Sequence, residues 1–266
     1  MTDATPQLDL AEYLAEHYFP NDAVQPLEIA AKNGVTSCVG HYEDAFDGLL
    51  ELCSGRFHIY LNEDRLKDSV GPRARFTAAH ELGHYFIDEH RNAMIGGVGP
   101  HPSFTEFVTN SVVERQADEF AAILLMPPNR FRSVARGKDV SLNSIAAIAA
   151  MFETSMMSTA IRYVQSDIAA VTVILWAESE RRWCWSSKDV WEITHNKAHW
   201  KTASVPEGSA TKSLLESHSN EAVEERGSVL SQWFPFVSPG TAKDKICREE
   251  AVRLGNFGVM TLLEVC

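Results

Sequence analysis

His80-Glu81-Leu82-Gly83-His84 is the stretch whose reading decides the fold. It is an H-E-x-x-H pattern. On a helix, residues four apart sit about one turn up and ~40° round, so two imidazoles at this spacing can bind one metal ion. Glu81, next to the first histidine, lies beside that face and can take a proton from a water polarised there. A chance match somewhere in a chain of this composition has odds of roughly one per cent. The bland alternative is a set of helix-surface or satisfied core residues, and the surroundings decide against it.

Working outward, the pattern sits in a helix expected over 73–90, on which Phe76, Ala79, Leu82 and Phe86 form one apolar arc. His80 and His84 lie at the edge of that arc. Gly83 inside a helix costs ~1 kcal/mol relative to alanine. It is explained either by close approach of another backbone beside the site or by tolerated drift. His90 falls on the apolar side, away from the pair, and reads as a core or surface residue rather than a ligand.

A catalytic zinc usually takes three protein ligands and keeps one position for water. Residues 111–126 offer the third. There Ala117, Phe120, Ala121, Leu124 and Leu125 make a buried stripe, with Glu114 and Asp118 extending its edge and Glu119 pointing to water. A carboxylate beside an apolar stripe must be paired or metal-bound. Glu114 therefore has a motive as a ligand, against the alternative of a salt bridge to Arg73, Arg75 or Arg115 or plain exposure. Asp118, one turn on, can accept a hydrogen bond from a ligating histidine and fix its tautomer.

Arg75-Phe76-Thr77-Ala78-Ala79-His80-Glu81-Leu82-Gly83-His84, followed by Glu114-Arg115-Gln116-Ala117-Asp118-Glu119-Phe120-Ala121 and Leu124-Leu125-Met126-Pro127, resembles the ImmA/IrrE family of metallopeptidases. The resemblance covers the first half of the chain. It implies a thermolysin-like zincin core, zinc on His80, His84 and Glu114, and Glu81 as general base. It also implies a substrate, since members cleave or are inferred to cleave helix-turn-helix repressors, switching on stress-response or mobile-element genes. One departure is visible: relatives often carry a histidine four residues after the second ligand, and here that position is Asp88.

The bounds agree with a soluble, cytoplasmic reading. The chain has 266 residues, 45% of them hydrophobic, enough for a sizeable core in one to three domains. The net charge of −12, concentrated in residues 1–70 with 13 acidic and 4 basic side chains, argues against non-specific nucleic-acid binding by the whole molecule. Residues 71–140 balance at 8 and 8. The five cysteines, Cys38, Cys53, Cys184, Cys247 and Cys266, include no C-x-x-C and suggest neither a disulfide framework nor a zinc ribbon. The N-terminus lacks a basic region followed by an apolar run, and no stretch reaches ~18 apolar residues, so no membrane span is expected.

In order, the chain reads as helices over 7–18 and 23–33, strands over 35–42, 48–53 and 56–62, and a hairpin turn at Ser54-Gly55. His58 in the third run reads as an ordinary strand histidine, and that strand as a substrate-docking edge. Tyr85, His101 and Arg130 are candidates to donate to the oxyanion. After a basic stretch holding Arg130, Arg132, Arg136 and Lys138, residues 141–165 read as two short helices joined near Phe152-Glu153, a helix-turn-helix pattern. The second helix carries only Arg162 as a cation, so packing outweighs DNA reading. All six tryptophans lie beyond residue 170, which marks a separate C-terminal unit with strands over 169–177, 181–187 and 256–265 and a helix over 209–218. The tryptophans read as core, and His195 and His199 as a surface helix. This unit is compatible with the GAF-like sensor domain of IrrE-type proteins.

The expected fold class is therefore α+β: a zincin core with a small antiparallel sheet and the HExxH helix over 1–128, a helix-turn-helix-like segment over 129–167, and an α+β C-terminal domain over 168–266. The expected function is that of a zinc-dependent endopeptidase, with manganese as an alternative metal in the cell. Its expected partner is an XRE-like helix-turn-helix repressor, and strong DNA binding is not expected. The competing readings are a DNA-binding or a sensory regulator with a non-catalytic metal site.

Overall fold

The computed structural model describes residues 6–97, 99, 101–104, 111–178, 180–194, 204–217, 224–234 and 245–266. The fold is α+β, with twelve helices and two sheets among the described residues. The chain forms two compact units, Met1–Phe131 with Ala149–Ser155, and Arg132–Ile148 with Met156–Cys266.

The first unit opens with α1 (Pro6–Tyr18) and α2 (Pro26–Lys32). The second helix starts at Pro26, later than the expected residue 23, because proline at the first helical position needs no amide partner and has its φ already set. It ends at Asn33, and Gly34 follows at φ +76°. The strands β1 (Thr36–Gly40), β2 (Gly48–Cys53) and β3 (Arg56–Asn62) follow, with β4 (His101–Ser103) added later in the chain. β2 and β3 form the expected hairpin across Ser54 and Gly55, both at positive φ as a tight right-twisting turn requires.

The sheet order is β1-β3-β2-β4, and two expectations are corrected by it. The sheet is mixed rather than antiparallel, since β1 runs parallel to β3. The strand over 56–62 is interior, with both backbone edges paired, so it cannot be the docking edge. The physical cause is the 41–47 connection, which carries the chain past β3 before β2 begins. Asn62, fully buried at the end of β3, holds that connection by donating to the carbonyls of Glu43 and Phe46, both at 2.7 Å. His58 faces Thr36 across the β1–β3 pair, as an ordinary strand histidine would.

A short helix, α3 (Glu63–Leu66), leads to α4 (Pro72–Phe86), which carries the H-E-x-x-H pattern. α4 stops before the expected residue 90. Ile87 is extended (φ −75°, ψ 113°) and buried, and Asp88-Glu89 open a new helix, α5 (Asp88–Ile95), with acids in its first turn where the helix dipole favours them. Asp88, the position of the family departure, is largely exposed and pairs with Arg91. α6 (Val112–Leu125) packs on α4 and buries Ala117, Phe120, Ala121, Leu124 and Leu125, the stripe expected of it. Ala79 and Leu82 of α4 and Leu50, Ile59 and Leu61 of the sheet complete that core. α7 (Pro128–Ala135) forms within the basic stretch.

α8 (Leu142–Phe152) and α9 (Met156–Gln165) are bent by 106° across a three-residue turn in which Glu153 takes φ 51°. No single helix among the described residues is long and apolar enough to cross a membrane.

The second unit is built on a five-stranded sheet, β5 (Val171–Ala177), β6 (Glu180–Ser186), β7 (Glu224–Val229), β8 (Ile246–Arg253) and β9 (Val259–Val265). Their order is β6-β5-β9-β8-β7, antiparallel throughout. β5 and β9 are central and buried on both faces, which explains apolar runs without alternation. The helices α10 (Lys188–Thr194), α11 (Ala210–Ser217) and α12 (Leu230–Trp233) complete the unit. Trp176 and Trp233 are fully buried with rings 6.2 Å apart, in keeping with the core reading, whereas Trp185 is exposed. The surface-helix reading of His195 and His199 lies outside the described residues.

Candidate metal centre

Both imidazoles come from α4 and the carboxylate from α6, so the spacing between two helices decides whether a centre exists. Gly83 sets that spacing. A Cβ there would meet Ala117 Cα at 3.1 Å and Ala117 O at 3.3 Å. Of the two explanations for this glycine, close backbone approach is the one the structure supports: the α6 backbone lies against α4 at Gly83, next to His84.

At that separation three donor atoms face one point. His80 Nε2 and His84 Nε2 are 3.1 Å apart. Glu114 Oε2 lies 3.2 Å from His80 Nε2, and Oε1 lies 3.5 Å from His84 Nε2. His80, His84 and Glu114 are thus a group that could hold a metal ion, with one donor atom from each within 4.8 Å of the others. Two ligands ~2.1 Å from a tetrahedral zinc stand roughly 3.4 Å apart, and the separations of His80 Nε2 from His84 Nε2 and from Glu114 Oε2 are close to that length. The Glu114 alternatives with Arg73 and Arg75 are not realised. Arg73 pairs with Asp47 at 2.8 Å, and Arg75 with Glu153 at 2.6 Å and Gln25 at 2.7 Å.

Asp118 Oδ1 lies 2.8 Å from His80 Nδ1 and accepts a hydrogen bond from its N–H, which fixes the tautomer that turns Nε2 towards the centre. In the metal-free protein burial works against a charged His80, but the hydrogen bonds to Asp118 and Glu114 outweigh it, and the pKa is raised to about 10. A proton and a cation compete for Nε2, so the acids that hold the one would hold the other, and metal binding would release protons.

Glu81 is fully buried on the sheet side of α4. Burial pushes its pKa up to about 7, against the lowering pull of the His80 charge and of hydrogen bonds from the Ser103 hydroxyl and the Leu50 N–H. Ser103 Oγ lies against both Glu81 Oε1 and the Gly48 carbonyl, tying edge strand β4 to the site. Gly48 is required here, because a Cβ would sit 2.7 Å from Glu81 Oε1. Glu81 Oε2 has no hydrogen-bond partner among the described residues. One oxygen is thus anchored and the other is not.

A cavity of about 330 Å³ opens beside the centre, walled by Leu50, Glu81, His84, His90, Met94 and Gln116 among others. Neither Tyr85 nor Arg130 reaches it: the Tyr85 hydroxyl donates to Asn33 O at 3.2 Å, and Arg130 donates to Phe19 O at 2.6 Å. The His101 side chain lies outside the described residues. The sequence reading missed Ser103 and His90. For Ser103 no local signal existed. For His90 the signal was the Ile87-Asp88 break, which ends α4 and swings the next helix back over the cavity.

Residues 47–163, which contain all of these groups, match the model of the peptidase M78 family, described as the IrrE N-terminal-like domain. Over this span the chain is similar to the IrrE N-terminal-like domain. Among solved structures, a Mycobacterium tuberculosis transcriptional regulator resembles the chain with a TM-score of 0.56 and 9% identity, covering 97% of this chain and 75% of that one. At that identity the likeness speaks for the fold alone. No curated protein matches the chain.

Proposed function

We propose that the chain is a zinc-dependent regulatory endopeptidase with a thermolysin-like zincin core, whose substrate is a helix-turn-helix, XRE-like transcriptional repressor. The observation that carries this reading is the convergence of His80 Nε2, His84 Nε2 and a Glu114 oxygen beside a buried acid with one unpartnered oxygen. Zinc held by His80, His84 and Glu114 would polarise the scissile carbonyl and lower the pKa of the attacking water towards neutrality, and manganese could replace it in the cell. Glu81 Oε2 takes the proton of that water and hands it to the leaving amine. The Ser103 hydroxyl keeps Oε1 fixed meanwhile, so the carboxylate does not rotate between the two transfers. Asp118 keeps the His80 ring aligned.

The bend between α8 and α9 is compatible with a helix-turn-helix-like reading of 129–167, and a sensor role for 168–266 completes the proposal. Cleavage of a repressor would relieve repression of stress-response or mobile-element genes. The test is incubation of the full chain with helix-turn-helix repressors encoded by the same genome. Zinc-dependent appearance of two fragments, abolished by a chelator and restored by added zinc, is the expected result. Intact repressors in every zinc-loaded reaction would count against the reading.

Asp118 supplies a smaller, separable effect. Asp118→Ala is expected to weaken zinc binding by 10- to 100-fold, the usual loss when a partner of a ligating histidine is removed. Competition against a chromophoric chelator measures it, and Asp118→Asn should recover part of the loss by accepting the same hydrogen bond through its amide oxygen.

A further inference from the structure

We infer that His90 contacts the substrate: its free ring nitrogen accepts a hydrogen bond from a main-chain N–H of the peptide lying in the cavity beside the metal centre. The inference deepens the proposed function and rests on that reading.

The geometry begins with the break at Ile87. Had α4 continued to residue 90, His90 would have faced the apolar arc. Because α5 starts afresh at Asp88, the His90 ring instead stands 5.1 Å from the His84 ring, tilted by 41°, and walls the same cavity as Glu81 and His84. The residue is only 7% exposed. Gln116 Oε1 lies 3.1 Å from His90 Nε2, so Nε2 carries the hydrogen in the tautomer this pairing requires. That tautomer presents a lone pair at Nδ1. That atom is buried and has no hydrogen-bond partner among the described residues. A buried polar atom without a partner is costly, and a ligand that supplies one gains from it.

Most of the other walls are apolar, with Leu50, Ala93, Met94 and Val113 among them. Such a wall suits a substrate side chain but leaves a peptide N–H unsatisfied. In a desolvated cleft that N–H needs an acceptor. Among the cavity-lining groups, Glu81 is committed to proton transfer and the donor atom of His84 to the metal centre. Glu89 also lines the cavity but is exposed to water, and His90 is the buried ring whose second nitrogen has no partner among the described residues.

The test uses Co2+-loaded full-length protein, whose visible absorption reports the centre directly, and two probes sharing one metal-binding group. Acetohydroxamate ends at a methyl. A dipeptidyl hydroxamate extends a backbone N–H and a side chain into the cavity. Three variants separate the roles: His90→Phe keeps the ring volume without nitrogens, His90→Asn places an amide oxygen near the Nδ1 position, and His90→Gln places one near Nε2.

His90→Phe is expected to leave the cobalt spectrum and acetohydroxamate affinity within twofold of wild type, and to weaken the dipeptidyl probe about five- to tenfold, the size of one lost hydrogen bond. His90→Asn should recover most of that loss and His90→Gln little of it. Equal affinity of wild type and His90→Phe for both probes would overturn the assignment while leaving the metal centre standing. So would a shifted cobalt spectrum and equal weakening of both probes in all three variants, which would mark a bracing role for the His84 ring instead. Absence of cobalt bands in wild type would overturn the metal reading and this assignment with it.

Discussion

Glu114→Ala is expected to lower zinc affinity by about three orders of magnitude or more, since even loss of a group one shell further out costs 10- to 100-fold. The argument is geometric. Glu114 is the only one of the three donors that does not come from α4, and it reaches the centre because Gly83 admits the α6 backbone to within 3.1 Å of a would-be Cβ. Without it two imidazoles remain on one helix face, an open pair that water competes for. The loss appears in stability as well. A metal at a thousand times its Kd stabilises the folded state by about 4 kcal/mol, so adding a chelator should lower the melting temperature of the wild type and leave that of Glu114→Ala unmoved. The measurement is a thermal melt with and without chelator, beside a competition titration. A variant that keeps zinc affinity within tenfold of wild type would remove Glu114 from the centre.

The site was legible in the sequence to the extent that it follows helical periodicity. His80 and His84 are four apart, and Glu114 lies two turns before Ala121 on a stripe whose five apolar members are all buried. What periodicity cannot register is where a helix stops. Ile87 looks like one more apolar residue of α4, yet its extended backbone ends the helix and moves His90 from the far side to the cavity wall. Ser103 was invisible for a different reason. It meets Glu81 through strand pairing, with Gly48 opposite it in the register of β2 and β4, and no local pattern announces a pairing across more than fifty residues.

The second unit shows the same divide. Val171–Ala177 and Val259–Val265 were readable as strands because both are apolar and central. Ile246–Arg253 was not, because its alternation is broken by acids turned inward. Glu249 is fully buried and accepts from the N–H and hydroxyl of Thr211 at 2.8 and 2.9 Å. Glu250 takes the Leu142 N–H at 2.7 Å. A strand that satisfies buried carboxylates through partners elsewhere in the chain looks, in isolation, like a solvated loop. The mixed character of the first sheet was hidden likewise, since the buried Asn62 that holds the 41–47 connection is an ordinary polar residue until its two carbonyl partners are seen.

Glu81→Gln separates chemistry from binding. The substitution keeps the shape of the side chain and its ability to accept from Ser103, so β4 and Gly48 should stay in place. It removes the one property the proposed reaction demands at Oε2, the capacity to take up a proton and give it back. General acid–base catalysis contributes 10²- to 10⁴-fold. Because one residue serves both transfers here, the expected loss in the rate of repressor cleavage is about 10³-fold or more, with zinc affinity within about threefold of wild type. Single-turnover cleavage followed by gel, next to a zinc titration of the same preparation, reads both quantities. A variant that holds zinc as tightly as wild type and still cuts at a comparable rate would show that another group carries the proton. One that loses zinc as well would show that Glu81 supports the His80 ring rather than the water. The unpartnered Oε2 in a fully buried side chain argues against both outcomes, since an acid used only as a brace would have its second oxygen satisfied as its first one is.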